Sequence, residues 1–125
     1  MSTPSEVTVV TLLKRKSGMS REAFIEYYER RHAVLAVRVV PGLVSYHRMY
    51  LDPAKMAFGM PESSPGFDVI TTLVFANAEA YQQAFSALSD PEIAQQIAAD
   101  EEHLFDRTCI RAWIVDQRHS KLTQR

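Results

Sequence analysis

The sequence predicts an α+β fold of the ferredoxin-like kind, a four-stranded antiparallel sheet with helices on one face. Three observations carry this prediction. Four runs are rich in β-branched and apolar residues, which suit a pleated strand. Two longer segments instead repeat apolar residues every three or four positions, the helical period. Read in chain order, these pieces give β-α-β-β-α-(α)-β within one domain of 125 residues.

The first strand is VTVVTLLKR, residues 7–15, apolar on much of both faces. KSGMS at 16–20 is a turn, and Ser20 is the N-cap of a helix running to Val39. Pro41–Gly42 stops that helix, because the residue before a proline is pushed out of the helical region. LVSYHRMYL at 43–51 is the second strand, with Tyr46 and His47 pointing to opposite faces. Residues 52–66 hold three prolines and two glycines and read as a long loop. Its Met56, Phe58 and Met60 suggest an apolar lid or a contact with a second copy. FDVITTLVF at 67–75 is the third strand. Asn77 caps a short helix with Tyr81, Phe85 and Leu88 on one stripe. Asp90–Pro91 restarts a helix that runs to about Asp106, with Ile93, Ile97, Asp100 and Leu104 on one face. CIRAWIVDQ at 109–117 is the fourth strand, and the ends at 1–6 and 118–125 are flexible or partner-docking tails.

An antiparallel sheet covered on one side only leaves its other face polar. These strands are apolar on more than one face, so the second face calls for burial, most simply in a homodimer through the sheet faces. The bulk numbers narrow the partners. A net charge of -1 gives no electrostatic case for nucleic acid or an anionic membrane surface. No run approaches the roughly 18 apolar residues of a membrane span. The start MSTPSEV lacks the features of a signal peptide. Cys109 is the single cysteine, which suits a reducing, cytoplasmic setting without disulfides. No Cys/His cluster, glycine-rich phosphate loop or G-x-S-x-G motif is present, so no metal site, phosphate-binding loop or hydrolase triad is expected.

The residues that carry chemistry lie on the first helix. In FIEYYERRHAVL, His32 stands one turn after Tyr28 and two turns after Phe24, on the stripe that should face the core. Imidazole titrates near neutrality and can take or give a proton with little tuning. A core histidine can equally be a purely structural group. Asp100 falls on the apolar stripe of the last helix, where a carboxylate needs a partner. It could orient His32, hold a substrate hydroxyl, or make a structural salt bridge. Tyr28 either binds substrate or packs its ring, and Phe24 and Thr72 are candidate walls. His103 borders the cleft or lies exposed, and Glu101 and Glu102 are solvated.

The sequence resembles the EthD-like family of the dimeric α+β barrel superfamily. The resemblance lies in KRKSGMSREAFIEYYERRHAVL at 14–35, PGLVSY at 41–46, FDVITTLVF at 67–75 and DEEHLFD at 100–106. It implies a ferredoxin-like protomer, two sheets paired face to face with the helices outside, and a cleft in each protomer between helices and sheet. It implies cofactor-independent chemistry, makes a histidine at position 32 expected, and favours Tyr46 as the cleft-lining member of its pair. Many relatives carry an acid near the middle of the third strand, where this chain has Thr72, so a mechanism using a carboxylate there is not expected.

Together these readings suggest a cofactor-free lyase or isomerase. It would move a proton beside a carbonyl of an aromatic, polyketide-like or lactone substrate. His32 is then the general acid/base, and Tyr28, Tyr46 and Asp100 position it or the substrate. The alternatives are a cofactor-free monooxygenase of the same superfamily and a ligand-binding accessory protein without chemistry.

Overall fold

A computed structural model of the chain describes residues 5–59 and 66–123. Its elements are β1 (Val7–Leu13), α1 (Arg21–Tyr27), a π-helical turn (Tyr28–His32), α2 (Ala33–Val39), β2 (Leu43–Tyr50), β3 (Val69–Phe75), α3 (Ala78–Leu88), α4 (Pro91–Leu104) and β4 (Arg111–Ile114). The strands form one antiparallel sheet in the order β2-β3-β1-β4. This is the ferredoxin-like α+β arrangement.

The expected helix caps are in place. The side chains of Ser20, Asn77 and Asp90 accept from the backbone N–H groups of Ala23, Ala80 and Ile93, at 3.1, 2.8 and 3.2 Å. Each satisfies one donor that a helix start leaves unpaired. Pro41 and Gly42 turn the chain from α2 into β2. Gly42 sits at φ 76°, which costs an L side chain energy and glycine none.

Two segments differ from the sequence reading. The last strand is four residues long rather than nine. Asp106 caps a short 3-10 turn over Arg107–Cys109 through Thr108, which holds Cys109 out of the sheet. The first helix is continuous but not uniform. The N–H of Ala33 bonds to the carbonyl of Tyr28, five residues back rather than four. The buried positions therefore run Phe24, Tyr28, then Ala33. The apolar stripe slips by one residue, and His32 lies at its edge instead of its centre.

The main core gathers Leu13, Phe24, Tyr28, Ala33, Val69, Leu104 and Phe105 between the helices and one face of the sheet. Burying each large apolar side chain contributes about 1.5–3 kcal/mol. Phe24 meets Tyr28, Tyr50 and Phe105 edge to face, at centroid distances of 6.1, 6.2 and 5.9 Å. Strand alternation puts Thr11, Leu13, Val69, Thr71, Leu73, Tyr46, Arg48 and Tyr50 on this helix side. The opposite face carries Val10, Leu12, Ile70, Thr72, Val74, His47, Met49 and Trp113.

Met56 and Phe58, expected as a lid or a contact between copies, are exposed and do not line the cavity described below. Met60 lies outside the described residues. Among the described residues, no helix is long and apolar enough to cross a membrane.

Candidate active site

A cavity of about 230 Å³ lies between the first helix, α4 and the helix side of the sheet. Its wall is mostly aliphatic, from Leu13, Leu35, Val40, Leu73, Leu88 and Ile97, and its polar groups are few: His32, Tyr28, Tyr46, Thr71, Thr11 and Glu101. A mostly apolar wall with a few convergent polar groups is the usual form of a small-molecule site. A cavity of roughly 150 Å³ accepts benzene. This one therefore has room for about one ring with substituents.

His32 is the most strongly tethered of these groups. Its Nδ1 is 2.6 Å from Oδ2 of Asp100 on α4. A carboxylate only accepts, so Nδ1 carries the proton. Nε2 is then the nitrogen left for the cavity. The other oxygen of Asp100 accepts from the Tyr27 hydroxyl at 2.7 Å. Both carboxylate oxygens are engaged, and the pair is largely buried, with side chains 12% and 13% exposed. The edges of Tyr28 and Phe105 bracket the imidazole at centroid distances of 5.1 and 5.2 Å. Together these contacts leave the ring little freedom to rotate. The imidazole is thus held by a third group that fixes its tautomer and orientation.

The hydroxyls form a second group. Tyr28 and Thr71 share a hydrogen bond at 2.6 Å, and the Tyr46 hydroxyl donates to Tyr28 at 3.5 Å. Burial raises the pKa of both tyrosines above the ordinary value. They therefore stay protonated and able to donate at working pH. The guanidinium of Arg48 lies 4.7 Å over the Tyr46 ring and bonds Glu29 through two nitrogens, at 3.0 and 2.5 Å. Tyr50 donates to Glu29 as well, at 2.5 Å. This network ties β2 to the π turn and fixes the Tyr46 side of the cavity.

The residues singled out in the sequence separate into three groups. His32, Tyr28 and Tyr46 line the cavity together. Asp100 stands behind His32 and does not line it, so it acts on the ring rather than on a ligand in the cavity. Three residues are corrected. Phe24 is only 1% exposed, packed among rings in the core and absent from the cavity wall. Thr72 is on the other face of the sheet, paired with Val10 and His47, because its neighbour Thr71 points to the helices. His103 is exposed on the outside of α4, stacked on Tyr27 at 4.4 Å.

Three polar lining residues were missed, Thr11, Thr71 and Glu101. Thr71 follows from strand alternation once the helix face is known. Glu101, expected to be solvated, lines the cavity with a side chain 24% exposed. Its signal was present, since it stands four residues from both Ile97 and Phe105 on a helical stripe. Among the described residues, no group of three or more His, Cys, Asp or Glu side chains could hold a metal ion.

The fold and the cavity define a small α+β domain of the ferredoxin-like class with an internal, histidine-bearing pocket. Comparison with known families takes this one step further. Residues 16–108 match the model of the EthD domain, and the chain belongs to the EthD family. No curated protein matches it. Among solved structures it is similar to an EthD family protein from Bacillus halodurans, at 20% identity over 90% of this chain and 99% of that one, with a TM-score of 0.61. SnoaB, a cofactor-independent oxygenase from Streptomyces nogalater, is similar at 17% identity over 93% and 96%, TM-score 0.55. HapK from Hahella chejuensis is similar at 9% identity over 95% and 98%, TM-score 0.60. At such identities the likeness is one of fold.

Proposed function

We propose that this chain is a cofactor-independent enzyme that moves a proton on a small, single-ring oxygenated substrate. One observation carries the reading: Asp100 holds Nδ1 of His32 at 2.6 Å while the ring borders an apolar cavity of about 230 Å³. His32 removes a proton beside a carbonyl, or from a ring hydroxyl, and returns it elsewhere. The outcome is isomerisation, dehydration or cyclisation of an aromatic, polyketide-like or lactone compound, which is lyase or isomerase chemistry. The Tyr28 and Tyr46 hydroxyls hold the substrate oxygen. A positioned base contributes about 10²–10⁴-fold, and fixed orientation in a dry cavity adds to it.

His32→Ala should abolish exchange of substrate α-protons with deuterated water, followed by proton NMR on cyclic ketones and phenols, and leave the circular dichroism spectrum unchanged. Full exchange in that variant would remove the mechanism. A second reading, a cofactor-free oxygenase, draws support from the likeness to SnoaB. It shares the first step, since an ionised phenol is the electron-rich species that reacts with oxygen. It predicts oxygen uptake equal to phenol consumed, measured with an oxygen electrode, where the first reading predicts none. A carrier without chemistry would bind the same phenols equally well after His32→Gln.

The same reading makes the working molecule a homodimer joined through the open sheet faces. Trp113 and Met49 support this, being 51% and 43% exposed on a face that also carries Val10, Leu12, Ile70 and Val74. It is also a cytoplasmic protein that binds neither nucleic acid nor membrane, in keeping with its single cysteine and its net charge of -1.

A further inference from the structure

The His32–Asp100 pair has an inner and an outer side. His32 borders the cavity, while Asp100 borders a second, open hollow of about 570 Å³ on the outer surface between the first helix and α4. Tyr27 lines that hollow beside Asp100 and borders no part of the inner cavity. It stands one residue before Tyr28, and a rotation of about 100° per residue turns it out of the core and across to α4. Its hydroxyl donates to Oδ1 of Asp100 at 2.7 Å. Its ring stacks on His103, three residues further along α4, at a centroid distance of 4.4 Å. Tyr27 is thus joined to α4 at two points.

The two oxygens of a carboxylate are equivalent until something distinguishes them. The last torsion of an aspartate side chain is broad and two-fold, so the oxygens can exchange or turn away. The outer hollow also supplies a competitor. Arg30 is paired with Glu26 at 3.9 Å and Arg38 bonds Gln96 at 3.2 Å, whereas Arg31 makes no hydrogen bond or ion pair among the described residues. A guanidinium binds carboxylates strongly. Tyr27 opposes both tendencies. It occupies Oδ1, which leaves Oδ2 for Nδ1 of His32 at 2.6 Å. Burial, and then the bond to Asp100, raise the Tyr27 pKa above its ordinary value of 10.0, so the hydroxyl keeps the proton it donates. Which nitrogen of an imidazole carries the proton is set by the hydrogen bonds the ring makes.

We infer that Tyr27 is a positioning residue of the site: through Asp100 it keeps the proton of His32 on Nδ1 and leaves Nε2 bare towards the cavity, without touching a ligand there. This rests on the reading of His32 given above. It adds that the state of the imidazole is set from the outer surface of the molecule as well as from the cavity wall.

The test uses the full chain labelled with nitrogen-15. The two ring nitrogens of His32 are read by NMR at about pH 8.5, where an ordinary histidine is neutral, and His32→Gln identifies its signals by their loss. Wild type should show one tautomer, protonated on Nδ1. Tyr27→Phe keeps the ring and its stack on His103, and should show both tautomers with an unchanged circular dichroism spectrum. Asp100→Asn should show both tautomers as well. In the deuterium-exchange assay, Tyr27→Phe should slow exchange of ketone α-protons by about tenfold, the weight of one hydrogen bond. The ketone concentration giving half the maximal rate should not move. A single Nδ1 tautomer in Tyr27→Phe, with Asp100→Asn mixed, would overturn this inference alone. A lower urea midpoint beside that unchanged tautomer would mark a merely structural role and overturn it equally. Wild type protonated on Nε2, or Asp100→Asn still protonated only on Nδ1, would overturn the pairing itself. Full exchange in His32→Ala would overturn the reading of His32 as the base, an outcome separate from the nitrogen spectra of Tyr27→Phe.

Discussion

The two faces of the sheet break opposite rules. The helix side buries polar groups: Tyr28 and Thr71 are 1% and 3% exposed, and Glu29, Arg48 and Tyr50 are knotted together beside them. The open side leaves apolar groups in solvent, Trp113 and Met49 among them. Each departure costs free energy unless something offsets it. On the helix side the offset is internal, since the buried hydroxyls bond to one another. On the open side nothing within the protomer provides one. The helix side is thus satisfied within a single chain, whereas the open side leaves Trp113 and Met49 exposed.

Substitutions on the two faces should separate these roles. Tyr28→Ala empties the centre of the core and should cost about 3–5 kcal/mol, read as a lower urea midpoint. Trp113→Glu should leave the protomer folded and shift sedimentation from dimer to monomer, with a loss of about 2 kcal/mol or more in association if Trp113 anchors the interface. An unchanged sedimentation coefficient would mean that the open face is covered in some other way. Tyr28→Phe keeps the ring but removes the partner of Thr71. It should cost about 1–3 kcal/mol, the penalty of one buried hydroxyl left unpaired.

The smallest effect concerns two glutamates with opposite slopes against pH. The bonds from Arg48 hold the Glu29 carboxyl below its ordinary value of 4.5. The unfolded chain then takes up this proton first as pH falls. The stabilisation is complete above the ordinary value and is lost as pH drops through the folded one. Glu101 is raised, so its contribution is complete below the ordinary value of 4.5 and is lost as pH rises through its folded value. Glu29→Gln should flatten the acid side of stability measured by urea denaturation, and Glu101→Gln the side nearer neutrality. The Glu29 side chain is 37% exposed, so solvent screening keeps its share small.

Much of the fold was legible because its signals are local. Ser20, Asn77 and Asp90 announced three helix starts, and Pro41–Gly42 announced a stop. Strand alternation separated Tyr46 from His47 correctly. The site was legible only in part. His32, Tyr28 and Tyr46 came from periodicity and family pattern. Asp100 was marked as a buried carboxylate, though its contact with His32 spans 68 residues and no local rule decides it. Thr72 points away from the helices and Thr71 towards them, and residue type cannot fix which face of a two-sided apolar strand meets the helices. Glu101 is expected to be solvated, yet Asp100 and Glu101 stand three and four residues after Ile97, and periodicity does not separate two spacings that share a helix face.

The π-helical turn at Tyr28–His32 makes the first helix a two-phase rod. Everything before it is indexed to the aromatic core through Phe24 and Tyr28. After it, Ala33 still packs in that core while Leu35 and Val40 line the cavity. Chain length, rather than side-chain identity, sets the angle between the two indices. Removing one residue from Glu29–Arg31 would restore an ordinary pitch and swing the imidazole by about a quarter-turn about the axis. The core anchor would stay where it is. One residue of chain in this turn therefore sets where position 32 points relative to Phe24 and Tyr28.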